Sequence, residues 1–190
     1  IIELPNAPYY KPGKIKPKLL LSFGGWNMGG SSNGELVEPA DEDSPLSKCL
    51  NDPVSSGNNI YNHIVSINVV DAQAAATKYQ VYDGIDIDIE TNKAWSETYK
   101  GNNAQETING IYLLIKTIYD RGKNDEQTTG VISNKKFYLS TSPRASDIYD
   151  ENGNIGFMGK VIDLLKKDGI YFDYINPQFY NDEPNKNIPT

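Results

Sequence analysis

From Ile85 to Glu90 the chain alternates strictly between isoleucine and acid, reading Ile85-Asp86-Ile87-Asp88-Ile89-Glu90. Successive side chains of an extended chain leave opposite faces. The pattern therefore predicts a strand over about 81–90, with the three isoleucines on one face and Asp86, Asp88 and Glu90 on the other. A short apolar run, Leu19 to Phe23, lies between Pro17 and the pair Gly24-Gly25 and predicts a buried strand. Two more strands are predicted, over 137–142, ended by Pro143, and over 172–180. Helical spacing takes over elsewhere. Ile108, Ile111, Leu114, Ile115 and Ile118 predict a helix over 104–119, with Asn103 as its cap and Gly122 as its stop. Val161, Ile162, Leu164 and Leu165 predict another over about 157–167, with Lys166 and Lys167 in its last turn and Gly169 beyond. Ala72, Ala74, Ala75 and Ala76 favour a helix within 60–79, although the β-branched residues of 67–70 blur its start. A short helix is expected around 45–51.

Strand, helix, strand, helix, strand, helix, strand is a run of βαβ units, which predicts a parallel sheet with right-handed crossovers. Parallel sheets are covered on their faces, so the acids are expected inside the protein. A solvated edge strand, the ordinary origin of such alternation, fits that order poorly. A calcium loop of the EF-hand type also fits poorly, because it needs a glycine inside the acidic run and a later bidentate glutamate. The architecture is then either a doubly wound sheet or a (β/α)8 (TIM) barrel. In the barrel the site forms at the C-terminal ends of the strands. Gly24-Gly25, Glu90, Pro143 and Tyr180 all fall at such ends. Residues 1–17, with four prolines, read as a linker or loop, and 27–58 as a surface insertion near the site, since long irregular connections are uncommon unless functional.

Composition narrows the function classes. The 190 residues are 38% hydrophobic and 23% charged, as in a soluble globular domain. A net charge of −7, from 18 basic and 25 acidic residues, argues against nucleic acid or an anionic membrane as partner. No apolar run reaches the ~20 residues of a membrane span. The single cysteine, Cys49, can form no internal disulfide, and neither it nor the lone His63 belongs to a metal-ligand pattern.

Three segments together resemble a known family. Asp83-Gly84-Ile85-Asp86-Ile87-Asp88-Ile89-Glu90 fits D-G-x-D-x-D-x-E, the signature of glycoside hydrolase family 18, the chitinases and endo-β-N-acetylglucosaminidases. Ser22-Phe23-Gly24-Gly25 is similar to the family's S-x-G-G motif on its third barrel strand. Gln178-Phe179-Tyr180-Asn181 resembles the Q-F-Y-N of the sixth strand in its class III chitinase branch. The resemblance implies one catalytic domain over 1–190 that supplies only the third to sixth strands of a TIM barrel. The rest is expected from a longer chain or a partner segment, and both ends look cut from something longer. No cofactor and no metal are implied. The implied partner is chitin or an N-acetylglucosamine oligosaccharide, cleaved more by endo than by exo action, and the implied location is secreted or extracellular.

Glycoside cleavage needs an acid for the leaving oxygen and a negative group beside the oxocarbenium-like centre. Glu90, at the open end of its strand, is best placed as the general acid, and that role requires a raised pKa, towards which burial and Asp88 both push. Asp86 lies deeper, and two aspartates this close are expected to share a proton. By resemblance the family departs from the two-carboxylate scheme: the substrate's own acetamido oxygen is the nucleophile. Asp88 would orient that amide, Tyr180 would donate its hydroxyl to it, and Gln178 and Asn181 would line the subsite. Gly24 and Gly25 would keep the barrel floor open, with Trp26 stacking on a sugar. Asp83, Gly84 and Ser22 belong to the motifs structurally, Asp83 as the anchor of the preceding turn. Asn176-Pro177 departs from a regular strand, because proline removes a ladder donor. The competing readings are a chitin-binding lectin on the same fold and a structural component of a larger assembly.

Overall fold

The computed structural model describes residues 18–25, 45–74, 82–90, 104–127, 136–149 and 153–179. Four strands, β1 (Leu20–Gly25), β2 (Gly84–Ile89), β3 (Tyr138–Thr141) and β4 (Tyr174–Ile175), form one sheet in the order β1-β2-β3-β4. Every pairing is parallel, so the α/β class expected from the sequence is the one observed. The helices are α1 (Pro45–Asn51), α2 (Pro53–Ala74), α3 (Ala104–Gln127), the short α4 (Ala145–Ile148) and α5 (Phe157–Lys167). Among the described residues no helix is long and apolar enough to cross a membrane.

The register sorts the two faces. Ser22, Asp86, Ser140 and Tyr174 are successive partners across the sheet, and Phe23, Ile87, Thr141 and Ile175 are the next row. Paired residues in a ladder share a face, so the alternation in β2 is continued sideways as one polar and one apolar face. On the apolar face Ile85, Ile87, Ile89 and Leu139 are wholly buried. They form a single core with Leu46 of α1, Tyr61 and Ile64 of α2, the isoleucine stripe of α3, and Met158, Val161 and Leu165 of α5. Burying each such side chain stabilises the fold by about 1.5–3 kcal/mol. The helices thus pack on the isoleucine side, and the acid side carries none of this core.

Several boundaries differ from those expected, each for a local reason. Helix α2 begins at Pro53, seven residues before position 60, and occupies part of the stretch expected as an insertion. Asp52 caps it, its carboxylate accepting from the Ser55 N–H at 3.0 Å, and proline suits the first helical position because its missing N–H is not needed there. The short helix at 45–51 is present as expected. Gly122 does not stop α3, which continues to Gln127. A Cβ at Gly122 would run into the Phe137 ring, so this glycine lets the strand's aromatic seat against the helix. The Phe137 N–H in turn donates to Glu126 in the extra turn. Finally, β4 is far shorter than 172–180, but its pairing resumes beyond it. Asn176 N–H donates to the Thr141 carbonyl at 2.9 Å and Gln178 N–H to the Pro143 carbonyl at 2.8 Å. Pro177 occupies the alternate position, so its missing donor takes nothing from the bonds to β3. Residues 1–17 and 26–44, and with them most of the expected linker and insertion, lie outside the described residues.

Candidate functional site

The polar face is built from all four strands. Just before β2, on the opposite parity, Asp83 ties the strand starts together. Its carboxylate accepts from the Leu19 N–H at 3.0 Å and lies 3.8 Å from the Lys18 ammonium. Its backbone N–H donates to the Leu19 carbonyl at 2.6 Å, and its carbonyl accepts from Tyr138 N–H at 3.0 Å. Asp83 therefore fixes the start of β1 to β2 and β3. Gly84 follows for a steric reason, since a Cβ would overlap the Tyr138 carbonyl.

Further up the face, Asp86 is held by β3. The Ser140 hydroxyl donates to its Oδ1, and the Ser142 hydroxyl to its Oδ2 at 3.0 Å. Asp88 is held from the β4 side. Gln178 Nε2 donates to Asp88 Oδ1 at 2.8 Å and to the Ser142 carbonyl at 2.7 Å. Two acceptors against one nitrogen fix the orientation of the amide. The Gln178 Oε1 is buried without a hydrogen-bond partner among the described residues, although the whole residue is only 8% exposed. Gln178 reaches Asp88 because it is bridged in parallel to Arg144, at the continuation of β3.

Asp88 has its pKa raised to about 6. Burial is the largest cause, followed by the negative charges of Glu90 and Asp86, with the Gln178 hydrogen bond pulling the other way. Three acids in a row on one strand thus favour a proton at the middle one. Glu90 sits just beyond the end of β2, only 7% exposed. Gly24, the register partner of Asp88, has φ +136°. A Cβ there would overlap the Asp88 carbonyl, so β1 approaches β2 at a distance only glycine allows. Gly25, at φ +96°, has open space around it and needs glycine for its backbone angle alone.

Of the residues singled out by sequence, Asp86, Asp88, Gly24 and Gln178 are brought together at the C-terminal end of the sheet, with Glu90 ending the same strand. Ser22 pairs in register with Asp86 and is exposed. Trp26, Tyr180 and Asn181 lie outside the described residues. Sequence reasoning missed Ser140 and Ser142. Their alternation with Leu139 and Thr141 marks them as one face of β3, but only the register shows that this face meets Asp86. Chemically, the site offers two aspartates, each held by its own hydrogen-bond donors, a nearly buried glutamate at the strand end, and an oriented amide. Two depressions among the described residues, about 190 and 170 Å3, lie elsewhere, one between α3 and α5 and one beside Ile148 and Ile155. No protein-family model matches the chain, and no curated protein or solved structure is significantly similar to it.

Proposed function

We propose that this chain supplies the catalytic strands of a retaining glycoside hydrolase of the family-18 type, acting on β-1,4-N-acetylglucosamine linkages in chitin or its oligomers. The observation that carries this reading is the row Asp86, Asp88 and Glu90 along one face of a parallel strand, with Gln178 bonded to the middle acid. The barrel has separate support. In a doubly wound sheet helices cover both faces and the strand order reverses at a switch point. Here the strands follow one another in sequence order, and among the described residues the core joins the helices to the isoleucine face. A barrel places its polar site residues on the inner face, at the C-terminal strand ends. In this reading further βα units pack beside β4, where Tyr149, Ile155 and Ile175 are 45–60% exposed.

The mechanism assigns one role to each group. Glu90 protonates the leaving glycosidic oxygen and afterwards takes a proton from water. The substrate's acetamido oxygen attacks the anomeric carbon from the other face, giving an oxazolinium ion, and water opens it with retention. Asp88, carrying a proton in the resting site, turns its carboxyl towards the acetamido N–H and stabilises the positive charge. Asp86 accepts the proton that Asp88 gives up. Gln178 holds Asp88 in place. Tyr180 holds the acetamido oxygen by resemblance to the family.

The test compares the full-length protein with Glu90→Gln on N-acetylglucosamine oligomers. Loss of a general acid lowers turnover by about 10²–10⁴-fold. Equal release by both proteins, or release by neither, would remove Glu90 from the role. Tight oligomer binding without turnover would instead make the protein a lectin.

A further inference from the structure

The mechanism above employs the acid row and Gln178 and gives no role to the arginine beside them. The register places that residue, Arg144. β3 and β4 keep one offset from Ser140↔Tyr174 to the bridge Arg144↔Gln178. β2 and β3 keep theirs from Gly84↔Tyr138 to Ile87↔Thr141, and the bond from Ser142 N–H to the Ile87 carbonyl, at 3.0 Å, continues it. Carried three residues past Ile87, that offset sets Glu90 in the row of Arg144 and Gln178. The row belongs to the acid face, because the Gln178 amide in it bonds Asp88. Neighbouring strands lie about 4.8 Å apart, so Arg144 stands one strand from Glu90, between it and Gln178.

The charges on this face divide by end. Lys18 and Lys136, at the N-terminal end, are matched by Asp83 and Asp173. Arg144 is half-buried at the C-terminal end, where a barrel binds its substrate. Its own loop braces it. A guanidinium N–H donates to the Ser146 hydroxyl at 3.1 Å, and the next backbone N–H, of Ala145, donates to the Gln178 carbonyl at 3.0 Å. Arg144 is not what sets the state of Asp88, which follows burial, Glu90, Asp86 and Gln178. A neutral sugar needs no cation, and three carboxylates repel an anionic one unless a cation answers them. The planar fork of a guanidinium matches a carboxylate in shape as well as in charge. We infer that Arg144 is a specificity-determining residue that binds a carboxylate on the sugar held over the acid row. The preferred substrate is then an N-acetylglucosamine polymer with carboxylate substituents, ahead of the unsubstituted chain. The inference rests on the hydrolase reading for the placing of that sugar.

The probes are three β-1,4-linked oligosaccharides of equal length. One is plain N-acetylglucosamine, one carries a 3-O-lactyl carboxylate on alternate sugars, and one is the methyl ester of the second. Turnover and calorimetric affinity are measured separately on the full-length protein. The acid should bind about ten times more tightly than its ester, or better, with kcat/KM in a similar ratio. Arg144→Gln should bring that ratio to about one. Arg144→Lys, which keeps the charge and loses the fork, should leave it in between. An acid-to-ester ratio near one in the wild type, a ratio that Arg144→Gln leaves unchanged, or no binding of either form would overturn the inference. The wild-type ratio needs no variant, so the test survives a variant that fails to fold. Turnover of the plain oligomer without any preference for the acid would sink the role of Arg144 alone. Preferential binding of the acid with no turnover of any oligomer would sink the hydrolase reading and leave Arg144 as the carboxylate-binding residue of a sugar-binding site.

Discussion

Replacing Asp88 by asparagine should stabilise the protein at neutral pH and leave its stability unchanged in mild acid. Asp88 has a folded-state pKa of about 6, against an ordinary value of 3.8. Between these values the folded state binds more protons than the unfolded state, so stability falls as pH rises through the window, and the loss is complete above about pH 6. At roughly 1.4 kcal/mol per unit the full shift would amount to about 3 kcal/mol. Asp88 is partly exposed, so solvent screens its neighbours, and about 1–2 kcal/mol is the realistic share. Asparagine keeps an oxygen for the Gln178 donor and removes the titration. Urea unfolding of both proteins at about pH 4, 6 and 8 reads the difference directly. The variant should match the wild type at the lowest pH and exceed it by about 1–2 kcal/mol at the highest. A difference independent of pH, or a variant less stable at the highest pH, would refute the reasoning.

The two glycines ending β1 should respond unequally. Gly24→Ala meets both a φ of +136° and the Asp88 carbonyl, and should cost more than about 2 kcal/mol in thermal unfolding. Gly25→Ala, strained in backbone alone, should cost about 1–2 kcal/mol; equal effects would mean that the close approach of β1 to β2 is unimportant. Gly122→Ala sits inside α3, where helix propensity alone would give a gain of about 1 kcal/mol. The Phe137 ring occupies the space for its Cβ, so the melting temperature should fall; a rise would show that the ring moves aside freely.

What could be read in the sequence follows from which interactions are local. The alternation of β2 was fully legible because its period belongs to the backbone itself, and every isoleucine of the row is buried. The stripe of α3 was legible for the same reason, as was α5. The end of α3 was not. A glycine after a helical run ordinarily marks a stop, but Gly122 serves Phe137, fifteen positions further along the chain, and that contact is tertiary. The start of α2 was written in Asp52-Pro53, a cap followed by a proline, and was obscured by the polar composition around it. Pro177 looked like a fault in a central strand, yet a parallel ladder uses alternate N–H groups on each side, and the proline falls between the two that bond β3. Ser140 and Ser142 were invisible as site residues because register is a property of two strands together. Asp86 could be recognised from its own strand; its partners could not.

The central claim is that the acid row serves a retaining reaction assisted by the substrate's acetamido group. The most direct measurement is time-resolved proton NMR of an N-acetylglucosamine oligomer during cleavage by the full-length protein, read before the anomers equilibrate. The β-anomer should appear first, and the same oligomer without its acetyl groups should remain uncleaved. First appearance of the α-anomer, or equal cleavage of the deacetylated oligomer, would contradict the roles given to Asp88 and Glu90.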